Sequence, residues 1–534
     1  MMILPNAEQM RQIDQCAIND FNIPGIVLME NAGLGTVALM ERLLGSFKKR
    51  VIPIYIGPGN NGGDGLVIAR HLYQREAVPL LVYLVEPEQL KGDSASNLAI
   101  VNKLDIAFVT CTNSDALRLL SQTLVQMTLT DSLPIAIVDS IFGTGLDRDI
   151  EGHFYEAIEM INSLSSALEI PVIAVDTPSG LCSESGNIHG CCIKAWATAT
   201  YGYAKIGQAM PASVPFVGNL QVIDIGIPPE VLEEVQVEVS AVDNDDHRVI
   251  GSQLRRSADS HKGSFGHLLI MGGSAGKTGA ALLSARGALR SGCGLVSICA
   301  PAELNVIYES ALAEAMTIVV DTPNYLSIDD WETIVHHLDD KSCMVIGPGL
   351  GQNDKTAELV LELYQCATIP LILDADALNI LAHRKEHLQP PSGPRIFTPH
   401  PGEMSRLTGQ STDQVQADRV GALGACFEHY KTPDSELIIV LKGSGTLTTD
   451  GTTVWVNRTG NPTMAAGGMG DVLSGLIGSL ACQGMSPLDA ARYGVYLHGL
   501  SGDRLQKLRG VGFSASDVAD DLSPALTEVM EEKK

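Results

Sequence analysis

The sequence predicts an α/β protein built from two domains. Three observations carry this expectation. Short, nearly continuous Val/Ile/Leu runs alternate with helical patterns, as the strands of a parallel sheet covered on both faces require. The series of runs stops at a stretch rich in Glu and Val and then starts afresh. The 534 residues are too many for one small core and comfortable for two. In chain order, VIPIYIG (51–57) is a strand followed by the helical LVIARHLYQR, and LLVYLV (80–85), IAIVDSIFG (135–143) and IPVIAVDTPSG (170–180) are further strands with their turns. PPEVLEEVQVEVSAVDNDD (228–246) separates the halves, with domains expected at 1–236 and 237–534. HLLIMGG (267–273), CMVIGPG (343–349), LILDADAL (371–378), RIFTPHPGE (395–403) and LIIVLKGSG (437–445) form the second series. It closes on AAGGMGD (465–471) and the apolar helix VLSGLIGSLA.

Composition narrows the function classes. With 45% hydrophobic and 18% charged residues the chain is globular, not disordered. A net charge of −26 argues against a phosphate-coating nucleic-acid binder and against a basic membrane-surface protein. Eleven scattered cysteines without CxxC or zinc spacing are expected to be reduced thiols. The polar start MMILPNAEQMRQIDQ does not fit a signal peptide, and no apolar run approaches a membrane span, so a cytoplasmic location is expected.

The turn GPGNNGGDG (57–65) lies between a strand and a helix, where backbone N–H groups and the helix dipole can receive phosphate. Gly57, Gly59 and Gly62 satisfy dinucleotide-fingerprint spacing, with Glu86 downstream, so an ordinary dehydrogenase and a purely structural tight turn both remain open here. The polar filling, Asn60, Asn61 and Asp64, suits a sugar-phosphate or a cation as well as a pyrophosphate. Asp139 and Asp176 end two further strands and precede the turns FGTGLDRD and TPSG, placing carboxylates at the edge where open α/β sheets bind ligands. Helix capping is the structural alternative for both.

The set NNGGDG, VDSIFGTGLDRD and AVDTPSGL resembles the NAD(P)H-hydrate epimerase domain over about the first 225 residues. The resemblance implies a Rossmann-like three-layer α/β/α fold. It implies that hydrated NAD(P)H is held by Asn60, Asn61, Gly62, Gly63 and Asp64 and by the loop Gly143, Thr144, Gly145, Leu146, Asp147, Arg148 and Asp149, with Asp176 in the reactive position. It also implies a potassium ion bound through Asn61, Asp139 and Ser179, whose oxygen groups are hard ligands suited to such a cation. Tyr155 could line the pocket, although packing is the commoner role for such a ring.

In the second half, MGGSAGKTGAA (271–281) contains Gly-Lys-Thr but has Met271 where a P-loop needs its first glycine, which removes a Walker NTPase; Lys277 then reads as part of a strand-to-helix turn. In AAGGMGDVLSG, Gly467, Gly468 and Gly470 leave N–H groups free for an anion, and Leu473, Leu476, Ile477 and Leu480 form one helix stripe starting after Asp471. A carboxylate beside such an anion hole can take a proton from a hydroxyl while the amides stabilise a phosphoryl group in transfer; the alternative is that Asp471 is only an N-cap.

This arrangement resembles the ribokinase-like superfamily. With SHKGSFG, GKTGAALLSARGALRSGCGLV, IGPGLG, LDADALN, TPHPGEMSRL, LKGSGTL and NPTMAAGGMGD it is similar to the nucleotide-dependent NAD(P)H-hydrate dehydratase over nearly all of residues 245–525. The resemblance implies nucleotide contacts from Lys442, Gly443, Ser444, Gly445, Thr446 and Gly470. It implies hydrate contacts from Ala280, Gly349, His400 and Asp471. His400, between Pro399 and Pro401, would by itself read as structural. Met469 replaces the hydroxyl-bearing residue usual in the last glycine turn, which leaves the backbone donors in place.

The implied activity is repair of hydrated NADH and NADPH: epimerisation of the R and S forms, with Asp176 catalytic, then dehydration of the S form, with Asp471 as base. ADP and magnesium are the expected cofactors of the second step, and a homo-oligomer the expected assembly. An ATP-using version, a ribokinase-like small-molecule kinase with a non-catalytic N-terminal domain, and a non-catalytic sensor or scaffold are the alternatives.

Overall fold

The computed structural model describes residues 2–127, 133–242 and 244–531. Asp243, within the segment expected to separate the domains, lies outside the described residues. The chain divides into two compact units, Ile3–Val239 and Ser240–Lys534 with Met1–Met2. Among the described residues no helix is long and apolar enough to cross a membrane.

The N-terminal unit holds a seven-stranded parallel sheet in the order Ala107–Thr110, Val78–Tyr83, Val51–Ile56, Ile137–Ser140, Val172–Val175, Ala197–Tyr201 and Asn219–Ile223. The chain leaves Val51–Ile56 toward one edge and returns on its other side at Ile137–Ser140, so the strand order reverses between these two. Successive strand residues face opposite ways. Ile54, Leu81 and Tyr83 pack with Met10 and Ile13 of the helix Ala7–Asn19 and with Leu66 and Leu72 of the helix Asn60–Gln74. Their neighbours Tyr55, Val82 and Leu84 pack with Leu117 and Leu120 of Ser114–Met127 and with Ile158 and Ile161 of Gly152–Leu168. Two apolar clusters on the two sheet faces make this a three-layer α/β/α unit.

The C-terminal unit repeats the principle. Its parallel strands lie in the order Leu437–Leu441, Arg395–Phe397, Leu371–Leu373, Cys343–Ile346, His267–Met271, Leu295–Pro301 and Met316–Val320, extended by antiparallel Leu447–Thr449 and Val454–Val456. Here the order reverses between His267–Met271 and Cys343–Ile346. Leu268, Ile270, Val345, Ile372 and Ile438 face the helices Thr278–Arg290 and Met469–Cys482. Leu476, Ile477 and Leu480 of the expected stripe are fully buried, each contributing about 1.5–3 kcal/mol.

Two helix starts differ from the sequence expectation. Asn60–Gln74 begins inside the glycine turn, so Asn60 to Asp64 are its first five residues and not an open loop. Met469–Cys482 begins before Asp471, with Gly468 at φ +91 as its cap, so Asp471 is the third helical residue and not the N-cap. That helix rests directly on Thr278–Arg290. A carbon added at Gly475 would come 1.9 Å from the Ser284 carbonyl oxygen, and one at Gly287 would come 2.6 Å from that of Val472.

Candidate active sites

In the N-terminal unit a cavity of about 1000 Å³ opens at the carboxyl ends of the strands where their order reverses, the position expected for ligands of open α/β sheets. Asn60, Asn61, Asp64, Asp176 and the whole loop Gly143–Asp149 line it. Gly62 and Gly63 do not. A carbon on Gly62 would meet the Gly57 carbonyl at 2.3 Å, and one on Gly63 would meet Ser94 Oγ at 2.4 Å, so these glycines let the helix approach its neighbours. Tyr155 is an exposed ring outside the lining, and Phe154 takes the place considered for it.

Asp176 follows the strand Val172–Val175 at φ +60, a left-handed conformation sparsely populated by non-glycine residues. Its side chain is fixed on both oxygens. Thr144 N and Oγ1 donate to Oδ2 at 3.2 and 2.5 Å, and Lys205 Nζ donates to Oδ1 at 2.5 Å. Lys205 is 1% exposed and also donates to Thr200 Oγ1 and the Tyr201 carbonyl. Burial opposes ionisation of Asp176, but the Lys205 ammonium and the Thr144 donors prevail and hold its carboxyl below the ordinary range. Asp64, in the same cavity, behaves oppositely: burial, then the nearby charges of Asp176 and Asp14, push it well above that range. Asp14, on the helix Ala7–Asn19, is raised to about 6 by burial despite Lys205.

Behind these groups, Asp139 Oδ1 accepts from Ser179 Oγ (2.6 Å) and Oδ2 from Ser179 N (2.9 Å). Burial raises the Asp139 carboxyl to about 6 against those hydrogen bonds. Asn61, 7% exposed, has neither its amide oxygen nor its amide nitrogen hydrogen-bonded.

In the C-terminal unit the strand ends bring together residues far apart in sequence. Lys442, after Leu437–Leu441, donates from Nζ to Asp374 Oδ1 at 2.6 Å and lies 4.0 Å from Glu403 Oε2. Asp374 Oδ2 accepts from Ser474 Oγ at 2.5 Å, one turn beyond Asp471 on its helix. A carbon on Gly470 would lie 3.1 Å from Lys442 Nζ. Ser284 Oγ donates to the Asp471 carbonyl at 2.8 Å, tying the first turn of that helix to Thr278–Arg290. The Asp471 carboxyl is raised to about 7 by burial and by Asp374, with Lys442 opposing; Glu403 is likewise raised to about 7, chiefly by burial. Burial works against the charge of Lys442, yet Asp374 and Glu403 hold its pKa above the ordinary lysine value.

His400 caps the helix Pro401–Thr408: its Nδ1 accepts from Gly402 N and Glu403 N, while its backbone N donates to Glu403 Oε2. Ala280 and Gly349 meet where the strand order reverses, a carbon on Gly349 (φ +62) falling 3.0 Å from Ala280 Cβ. Lys277 is an exposed side chain 3.6 Å from Asp376. Gly443 and Gly445 have φ of +130 and +62, and Thr446 Oγ1 donates to the Gly443 carbonyl.

Sequence reasoning missed Lys205, Asp14, Asp374 and Glu403. Glu403 and Asp374 stood inside the quoted motifs TPHPGE and LDADAL, and a carboxylate at a strand end was a usable signal for Asp374. Lys205 ends ATATYGYAK, which carries no pattern pointing to a charge partner.

Comparison with known proteins matches each half of the chain to a family. A family model described as NAD(P)H-hydrate dehydratase matches residues 268–524, and one described as YjeF-related protein N-terminus matches residues 25–207. The bifunctional NAD(P)H-hydrate repair enzyme of Moorella thermoacetica is 38% identical over 99% of this chain and 98% of its own length. That of Thermofilum pendens is 34% identical over 99% and 97%. Among solved structures, the ADP/ATP-dependent NAD(P)H-hydrate dehydratase of Bacillus subtilis is 31% identical, with TM-score 0.45, covering 53% of this chain and 97% of that one. The chain therefore belongs to the family of bifunctional NAD(P)H-hydrate repair enzymes.

Proposed function

We propose that the N-terminal unit interconverts the R and S hydrates of NADH and NADPH, and that the C-terminal unit returns the S hydrate to NAD(P)H with ADP, giving AMP and phosphate. The observation that carries this reading is the set of Asp471, Lys442 and Gly470 at one helix N-terminus. Asp471, its proton affinity raised to about 7, is poised to take the proton of the added hydroxyl. The free first-turn amides and the Lys442 ammonium face the charge that builds on the phosphoryl group. Phosphorylation turns hydroxide into a good leaving group, and departure of phosphate and a ring proton restores the double bond.

Asp176 and Asp64 both line the epimerase cavity and are pushed apart in proton affinity, which supports the more acidic Asp176 as proton acceptor and the less acidic Asp64 as donor. Thr144 and Lys205 keep the Asp176 carboxylate in one orientation. The unpartnered Asn61 amide and the buried Asp139 carboxylate suit potassium, with Ser179 as a third oxygen donor. The ion would supply fixed positive charge beside the cavity. Magnesium would enter with the nucleotide phosphates: among the described residues no three acidic, histidine or cysteine side chains form a metal cage, and Lys442 already occupies the space among the carboxylates. The eleven cysteines, all free thiols, support a reducing cytoplasmic setting.

The test supplies both hydrate epimers with magnesium, potassium and either ADP or ATP, and follows recovery of reduced-nicotinamide absorbance. Full recovery with ADP is expected. Asp176→Asn should then leave the R fraction unrecovered, and Asp471→Ala should stop recovery altogether. Accumulation of a durable phosphorylated product without restored cofactor would instead identify a kinase.

A further inference from the structure

The turn Lys442–Thr446 is held from beneath by Arg419, the first residue of the helix Arg419–Tyr430. Arg419 Nη2 donates to the carbonyl oxygens of Leu441 (3.2 Å), Lys442 (3.4 Å) and Gly445 (3.3 Å), and Nη1 donates to Gln416 Oε1 (2.8 Å). Nη1 also lies 3.1 Å from where a carbon on Gly443 would sit, so a side chain there would crowd the guanidinium. Arg419 Nε is buried without a hydrogen-bond partner.

This is an unusual place for a cation. A helix N-terminus disfavours positive charge, and the carboxylate beside it in sequence, Asp418, is engaged in capping by accepting from Gly421 N at 2.8 Å. The partners of the guanidinium are neutral oxygens. Burial alone lowers its pKa, to about 10, which leaves it charged at neutral pH.

The planar trans peptide decides what those hydrogen bonds do to the turn. In each peptide group the N–H points opposite to the C=O. Carbonyls of Lys442 and Gly445 directed at Arg419 therefore direct the N–H groups of Gly443 and Thr446 away from it. One guanidinium thus gathers the carbonyl side of the turn and leaves amide donors on the other side, in the arrangement that binds anions.

We propose that Arg419 is a positioning residue for the nucleotide: it sets the amides of the Lys442–Thr446 turn toward the phosphates and adds a half-buried positive charge behind them. The proposal rests on the reading of that turn as the nucleotide site. Arg419 acts through the backbone, without touching the reacting atoms.

The experiment uses the full chain, the S hydrate and ADP with magnesium, and compares Arg419→Met, Arg419→Lys and Gly445→Val. Arg419→Met should raise KM for ADP roughly tenfold to hundredfold, the range for hydrogen bonds made by a charged group. The kcat at saturating ADP, KM for the hydrate and epimerase activity should stay close to those of the parent chain. Arg419→Lys keeps the charge but not the planar fork, so it should recover only part of the loss. Gly445→Val, forced into a left-handed conformation, should also raise KM for ADP. A normal KM for ADP in Arg419→Met with a raised one in Gly445→Val would overturn the role of Arg419 while leaving the turn as the nucleotide site. Normal values in both would overturn the site reading as well. A parallel fall of kcat, hydrate affinity and melting temperature in Arg419→Met would mean simple structural support and would equally overturn the proposal.

Discussion

The rate of the dehydration step should climb with pH across neutrality. Asp471 must be ionised to accept the hydroxyl proton, and its carboxyl is raised from 3.8 to about 7. A group with that pKa is about one-tenth ionised at pH 6 and about nine-tenths ionised at pH 8, so single-turnover dehydration should rise roughly tenfold between them. A carboxylate of ordinary pKa would be fully ionised throughout and give a flat line. Glu403 titrates in the same range and interacts with Asp471, so the midpoint belongs to the pair. Variants separate the contributions. Glu403→Gln removes a neighbouring negative charge and should move the midpoint down; Lys442→Met removes the opposing cation and should move it up. The assay is rapid mixing of the S hydrate with saturating ADP and magnesium, read as reduced-nicotinamide absorbance from pH 5.5 to 8.5, about 1.5 units either side of the expected midpoint. A flat profile, or midpoints unmoved in both variants, would refute the assignment of Asp471 as a base tuned by this cluster.

Three further outcomes are expected. A carboxyl whose folded pKa exceeds its unfolded value loses stability as pH rises through 3.8 to about 7, so Asp471→Asn should be more stable than the parent chain at pH 8, by up to about 4 kcal/mol, with no gain at pH 3.5; equal denaturant midpoints at both pH values would contradict the burial of this charge. Lys205→Met should abolish most epimerase activity and shift its acid limb to higher pH, because Asp176 loses the cation that keeps it ionised, while dehydration of pure S hydrate proceeds unchanged; an unaltered acid limb would show that Lys205 does not act through Asp176. Potassium chloride should raise the melting temperature of the epimerase transition above that in choline chloride, and Asn61→Leu should remove the difference; a difference that survives would place the ion elsewhere.

Most of the strand framework was legible because buried parallel strands are written as branched apolar runs, and VIPIYI, IAIVD and LIIVL are that. Ala197–Tyr201, with the sequence ATATY, has too few branched aliphatic residues to stand out, although all five residues are buried. Asp176 and Asp471 were recognisable as carboxylates beside glycine turns. Their environments were not, since Lys205 reaches Asp176 only after an intervening strand, and Lys442 meets Asp374 across the one strand, Arg395–Phe397, that separates theirs in the sheet. The start of the helix carrying Asp471 is not marked in the sequence, because its cap is a glycine at positive φ with no side-chain oxygen.

The contact between Thr278–Arg290 and Met469–Cys482 bears on how accurately Asp471 is aimed. At Gly475 and Gly287 the two helices meet main chain to main chain, without an intervening layer of side chains whose rotamers could change. A side-chain cushion would let the upper helix slide or tilt by tenths of an ångström as its packing fluctuated. A rigid mount of this kind passes the stiffness of two hydrogen-bonded backbones directly to the first turn of the helix, where the proposed proton acceptor Asp471 sits. Proton transfer depends steeply on donor–acceptor distance, so the accuracy of the reaction geometry is set about one helical turn beyond Asp471, by the absence of two methyl groups.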